Sequence, residues 1–271
     1  MEGLIAHRDV SLITFGISHF CEKARWALDW HDIDYQELSW PPGLHQILAK
    51  RCGAKETTLP IVRDRDKVVQ GSDAIIDWAD AKAKDPSRRL TKESSLEIEE
   101  RADEIIGWHM RRLAYAEMLP LFPQYAKPGL FQNTSRTHRL VGHMMWPVTR
   151  RVMMQAYGVT PTAASESCSI LEIELDWLDE KLSDGRQYLA GDKFSRADVT
   201  VASLLAPFAR PPEMPVYHEM SLTDALKADC ARWDSRPIMS WVRTQYERNR
   251  SSECSHVDPR WHIADLDCQA G

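Results

Sequence analysis

The chain has 271 residues, more than one average domain holds and enough for two. Hydrophobic residues make up 43% and charged residues 27%, the balance of a soluble protein with a packed core. A net charge of -6 excludes the sequence-wide basic footprint of a nucleic-acid binder, and the pairs Arg111-Arg112 and Arg150-Arg151 read as solvated helix faces.

No window approaches the roughly 18 apolar residues of a membrane span. The opening MEGLIAHRDV lacks the apolar core of a secretion signal, so the cytoplasm is the expected location. Six cysteines (Cys21, Cys52, Cys168, Cys230, Cys254 and Cys268) are irregularly spaced with no C-x-x-C pair. That spacing argues against a disulfide framework and against structural zinc.

In chain order, SLITF (11–15) is β-branched and aromatic and predicts a buried strand. From Cys21 to His31 the period turns helical, with Ala24, Ala27, Leu28 and His31 along one face. IDYQEL (33–38) alternates as a second strand, and PPGLHQILAKR opens a short helix with proline at its start, where a missing N–H is harmless. LPIVRDRDKVVQ gives two apolar runs around a polar turn at 64–67, a hairpin signal. SDAIIDWADAKA begins with Ser72, a good N-cap, and continues as a helix. The order β-α-β-α-β-β-α makes a small α/β domain, 1–84, with KDPSRRL (84–90) as a polar linker.

Everything beyond the linker lacks strand alternation, and 91–271 is predicted to be an all-helical second domain. Helices are expected at 92–118, 134–157 (capped by Thr134 or Ser135), 165–182 and 196–208, with weaker ones at 222–231 and 237–248. Pro120, Pro123, Pro128 and Gly129 predict a loop over 119–133. In FSRADVT, Ser195 and Asp198 have the S-x-x-D spacing of a capping box, a structural role with no chemistry.

Chemistry concentrates at FGISHFCEKARWALDW (15–30), where a strand end runs into a helix start. Ser18-His19-Phe20-Cys21 looks like a redox Cys-x-x-Cys turn whose first sulfur is replaced by oxygen. A helix N-terminus carries unpaired N–H groups and about half a positive charge, and it stabilises anions. A serine hydroxyl there cannot form a disulfide, but it can donate to a sulfur anion and lower that thiol's pKa. Lys23 and Arg25 strengthen the positive field and Glu22 partly offsets it. Taken alone, Ser18 reads first as a plain N-cap.

The surrounding motifs decide between these readings. SHFCEKARWAL resembles the S-x-x-C-x-x-x-R-x-A-L stretch of glutathione transferases that use serine to activate the thiol. TTLPIV (57–62), VVQGSDAIIDWAD (68–80), QYLAGDKFSRADVTVASLLAP (187–207) and RWDSRPIMSWVRTQYERNR (232–250) resemble further segments of that superfamily, in family order. The chain is identified as a serine-type, bacterial-like member. The resemblance implies a thioredoxin-like N-terminal domain followed by an all-α domain that carries the electrophile pocket.

It also implies roles for single residues. Ser18 would stabilise the thiolate of glutathione, the co-substrate. Leu59 would pair its backbone with the cysteinyl unit, ahead of a cis Pro60. Ser72 and the N–H groups near it would hold the γ-glutamyl carboxylate, together with Gln70, Gly71 and Asp73, and Asp73 would bind a glutamyl ammonium, possibly from the partner subunit. Gly71 departs from the family's acidic residue or glutamine before the serine, with Gln70 displaced by one position. The chain is also longer than a compact member in the 119–165 region and after residue 250. Cys21 reads as a small buried helix residue, with a redox role as the alternative, and His19 as a proton carrier or an exposed turn residue.

No metal is implied: His109, His138 and His143 have no H-x-x-x-H spacing. Trp108, Met110, Tyr115, Met144, Met145, Trp146, Met153 and Met154 fall at helical spacing and read as core or as the lining of an apolar electrophile pocket. The expected function is a glutathione transferase acting on an apolar electrophile, without nucleic acid or membrane partners. The alternatives are a glutathione-dependent lyase, isomerase or thiol reductase on the same scaffold, and a non-catalytic binding or regulatory protein. A homodimer is implied, with the 92–118 helix supplying its surface and Ile98, Ile105 and Leu113 serving either core or interface.

Overall fold

The computed structural model describes residues 9–250 except Pro161 and Glu219. The tail after residue 250, with Cys254 and Cys268, and the first eight residues lie outside the described residues.

Four short strands form the sheet: β1 (Val10–Thr14), β2 (Gln36–Ser39), β3 (Ile61–Asp64) and β4 (Lys67–Gln70), in the order β2-β1-β3-β4. β1 runs parallel to β2 and antiparallel to β3, and β3 and β4 are antiparallel neighbours across the tight turn at Arg65-Asp66. The period-2 geometry of a strand splits its side chains between two layers. Leu12 and Val62 face the main core with α1 (His19–Trp30) and α3 (Ser72–Lys82), whereas Ile13 and Ile61 pack with Ala49 of α2 (Leu44–Arg51). This is the thioredoxin-like arrangement that the motifs imply.

Beyond a 3-10 turn at Pro86–Arg88 every regular element among the described residues is helical, apart from the isolated bridge Tyr188–Gly191. The long helix expected at 92–118 is α4 (Glu93–Arg101) and α5 (Gly107–Leu121), joined by a π-helical stretch at Ala102–Ile106. Its Ile98 and Leu113 are buried in the core, which settles those two positions. α7 (Arg136–Ala156), α8 (Ala163–Leu182) and α9 (Arg196–Ala209) follow, then α10 (Pro215–His218), α11 (Asp224–Trp233) and α12 (Pro237–Asn249). α9 starts on the expected capping box, with Asp198 accepting from the N–H groups of Leu189 (2.7 Å) and Ser195 (2.8 Å).

The loop expected at 119–133 is instead largely helical: α5 runs through Pro120, and α6 (Pro123–Leu130) follows. Pro123 sits at the first position of α6, where its missing N–H costs nothing. The orphan carbonyls left at the end of α5 are met by Arg150, which donates to Leu119 O and Pro120 O at 2.6 Å each.

α1 packs on α3 within the first domain and on α9 of the second, so it is the element through which the two domains meet. No helix among the described residues is long and apolar enough to cross a membrane.

Candidate active site

Ser18 ends the loop after β1 with extended backbone and caps α1: the N–H of Cys21 donates to its Oγ at 3.3 Å. A hydroxyl has one proton to give besides the lone pairs it offers, and the Ser18 proton has no acceptor among the described residues. As the first two helical residues, His19 and Phe20 have N–H groups without intrahelical partners. A half-buried donor therefore stands beside two orphan amides at the positive end of a twelve-residue helix.

These groups open onto a cavity of about 330 Å³. One side is built by the first domain, with Ser18, His19, His45, Thr57, Thr58 and Leu59. The other is built by helices of the second, with Met110, Arg111, Tyr115, Met153 and Tyr157 among its residues. Of the eight methionines and aromatics expected to be core or pocket lining, Met110, Tyr115 and Met153 line this cavity. Trp146 and Met154 belong to the core, and Trp108, Met144 and Met145 are exposed.

The Leu59–Pro60 peptide bond is cis, as the resemblance implies, and Leu59 lies in the cavity wall. Pro60 O accepts from the N–H of Gly71 at 3.2 Å, which ties this loop to the start of α3. Gly71, not Ser72, is the N-cap residue of α3, with φ +97° and ψ 142°. Ser72 is therefore the first helical residue, buried, and it caps nothing, which corrects the N-cap reading. The left-handed φ accounts for the departure at 71, because only glycine adopts it freely.

Gln70 is committed to the protein. Its carboxamide accepts from Glu56 N–H (3.0 Å) and donates to the carbonyls of Glu56 and Thr58 (2.9 Å each), bracing the loop that carries Thr57, Thr58 and Leu59. Asp73 is exposed at the start of α3. Gln70, Gly71, Ser72 and Asp73 are not among the residues that line this cavity; Gly71 and Gln70 brace the cis-proline loop that is.

His19 is buried rather than exposed, with Nε2 3.1 Å from Gly107 O. Burial first, then the Arg111 charge, holds its pKa well below the ordinary histidine value, so it is neutral at pH 7. His45 is likewise neutral, lowered to about 4 by burial. Cys21 is fully buried, and its Sγ accepts from Phe15 N–H at 3.5 Å. Burial raises its pKa, so the thiol stays protonated and packs as a small apolar group.

Lys23 and Arg25 do not strengthen the field at the helix start as expected. Lys23 is paired with Glu99 (2.7 Å) and Asp103 (2.6 Å), and Arg25 with Glu37 (2.6 Å), so both charges are cancelled where they stand. The cation that does face the cavity is Arg111, which was read from sequence as part of a solvated pair. Trp108, Arg111, Tyr115 and Met118 follow one another at intervals of three and four, and that spacing was the available signal.

Residues 12–87 match the glutathione S-transferase N-terminal domain and residues 152–228 the glutathione S-transferase C-terminal domain, together more than half of the chain. The chain belongs to the glutathione transferase superfamily. Its fold is similar to that of a glutathione S-transferase from Methylobacillus flagellatus KT with glutathione bound (TM-score 0.56, 14% identity, 94% of this chain and 100% of that one). It is also similar to a glutathione transferase from Phanerochaete chrysosporium (TM-score 0.59, 18% identity, 88% and 96%). A third similar structure is the beta-etherase LigF from Sphingobium sp. strain SYK-6 (TM-score 0.53, 16% identity, 88% and 99%). No curated protein sequence matches the chain.

Proposed function

We propose that the protein is a serine-type glutathione transferase that joins the sulfur of glutathione to an electrophilic carbon of an apolar substrate. The observation that carries this reading is the Ser18 hydroxyl: its lone pair takes the Cys21 N–H while its proton is free, at a helix N-terminus, in the wall of a cavity shared with Leu59. Leu59 would present its backbone to the cysteinyl unit. The buried Ser72, with the amides that open α3, would receive the γ-glutamyl carboxylate.

In the reaction the thiol gives its proton to solvent and Ser18 donates to the resulting thiolate. The sulfur attacks the electrophilic carbon; a C–S bond forms, the bond to the leaving group breaks, and that group departs with the electron pair. Proximity within the cavity and stabilisation of the anion supply the rate. A dithiol cycle within the protein would need a reactive cysteine, and the buried, protonated Cys21 does not offer one. The reading extends to a cytoplasmic homodimer in which Asp73 reaches the ligand of the neighbouring subunit.

The test is Ser18→Ala. A hydrogen bond to a charged group is worth about 1.5–3 kcal/mol, which raises the pKa of bound glutathione by about 1–2 units. Ultraviolet titration of the thiolate reads the shift, and circular dichroism checks that the fold is kept. An unchanged titration curve would remove Ser18 from the role.

A further inference from the structure

We infer that Arg111 selects electrophiles that carry an acidic group, a carboxylate or sulfonate on an apolar body, and seats that group in the wall of the second domain. The inference rests on the transferase reading above and narrows its substrate class.

Arg111 is half-buried in the cavity wall. Nη1 donates to the Tyr157 hydroxyl at 3.0 Å, and the guanidinium lies 4.9 Å from the centre of the Phe20 ring and 5.3 Å from that of Tyr157. An arginine carries five N–H donors. Arg111 has no carboxylate partner among the described residues, and one nitrogen with a protein acceptor. Among the other arginines that are not exposed, Arg25 meets Glu37, Arg112 Glu166, Arg196 Asp77 and Arg250 Glu22, while Arg150 and Arg210 each donate to two backbone carbonyls.

The described cavity wall contains no aspartate or glutamate, and both of its histidines are neutral at pH 7. Arg111 is therefore the charge that the cavity presents. Two aromatic rings lie against the guanidinium, and its planar fork suits the two oxygens of a carboxylate. Met110, Ala114, Met118 and Met153 surround it with apolar surface that suits the rest of such a molecule. The guanidinium lies against the ring of Phe20, two residues from Ser18 in the first turn of α1, so an acid held there leaves its apolar body on the side of the sulfur.

The experiment compares 4-(chloromethyl)benzoate with 4-(chloromethyl)benzamide, which differ in charge at similar shape. In both, the thiolate displaces chloride from the methylene carbon. The wild-type protein is expected to prefer the benzoate in kcat/KM. Arg111→Met should lower the benzoate value by about 10–100-fold and leave the benzamide within about twofold, while Arg111→Lys keeps part of the preference.

Glutathione affinity, measured by calorimetry, should be the same in all three proteins. Equal loss on both substrates, no preference in the wild type, or weakened glutathione binding in Arg111→Met would overturn the inference; the last would assign Arg111 to a carboxylate of the tripeptide. If neither chloride is turned over and glutathione does not bind, the transferase reading fails by itself. Calorimetry with the unreactive 4-methylbenzoate and 4-methylbenzamide then decides the acid site. Arg111-dependent binding of the benzoate alone upholds it, and absence of that binding refutes it.

Discussion

Replacing Lys23 with methionine should unfasten the first domain from the second. Lys23 is fully buried on α1, with Nζ 2.7 Å from Glu99 and 2.6 Å from Asp103 on the α4 helix and its π-helical continuation. Methionine fills much of the same space, so the loss is electrostatic. Glu99 keeps Arg196, but Asp103 is left as a half-buried carboxylate, one oxygen out of solvent, with no other cation paired to it among the described residues. Removing one partner of such a pair costs about 3–5 kcal/mol. At about 2–4 °C per kcal/mol for a chain of this size, the midpoint should fall by about 6–20 °C.

The loss should depend on pH. Burial already raises the Asp103 pKa, with Lys23 working against it, and without Lys23 the value climbs further above that of the unfolded chain. A group raised in this way favours folding while protonated and loses that contribution as pH rises through its folded pKa. The variant should therefore be closer to wild type at pH 5 than at pH 7. Lys23→Met combined with Asp103→Leu should recover much of the stability, because both charges are then gone. Urea unfolding followed by fluorescence and by circular dichroism measures all three proteins. A loss below about 1 kcal/mol, or one equal at both pH values, would refute the reasoning.

Two further outcomes follow from hydrogen bonds around α3. Burial raises the Asp80 pKa, but His31, Thr91 and the N–H of Leu90 outweigh it and hold it at about 2. Its contribution is thus full above the unfolded value near 4 and lost as pH falls toward 2, about 1–2 kcal/mol after allowance for solvent screening; thermal melts of Asp80→Asn over that range should lack this acid limb. Ser72→Ala should weaken glutathione binding by about 1–3 kcal/mol while the melting temperature hardly moves, since Gly71 holds the cap position. Calorimetry showing intact affinity would place the γ-glutamyl contacts elsewhere.

What the sequence revealed depended on how local the cause was. The cap at Ser18, the capping box at Ser195 and the hairpin at 64–67 arise from residues a few positions apart, and their spacing is a sufficient signal. The cis bond at Leu59–Pro60 has no such signal in its own residues and came from the family resemblance. α6 was missed because three prolines and a glycine read as a loop. The compensation for the end of α5 is Arg150, about thirty residues away and invisible to a local pattern. Gly71 looked like a defect in a motif until its φ showed that the turn requires it. Arg111 was missed for a related reason: two adjacent arginines read as surface, yet a helix turns them about 100° apart, so Arg112 reaches Glu166 while Arg111 enters the cavity.

The buried charges of α1 also limit how the site can stabilise an anion. Glu22, Lys23, Arg25 and Asp29 all lie inside the fold, and each is met by an opposite charge from another element: Arg250 for Glu22 and Asp29, Glu99 and Asp103 for Lys23, and Glu37 for Arg25. Such pairs hold the helix in place and cancel one another at short range, so they contribute little field at its N-terminus. What remains there is the Ser18 proton, the orphan amides of His19 and Phe20, and the Arg111 cation across the cavity. The first two act at hydrogen-bond distance on whatever atom touches Ser18; the third faces the second-domain side of the cavity, where the acidic group of the electrophile is seated. The division separates thiol activation from substrate choice. Replacing Ser18 changes the ionisation of the sulfur, and replacing Arg111 changes which electrophile is brought to it.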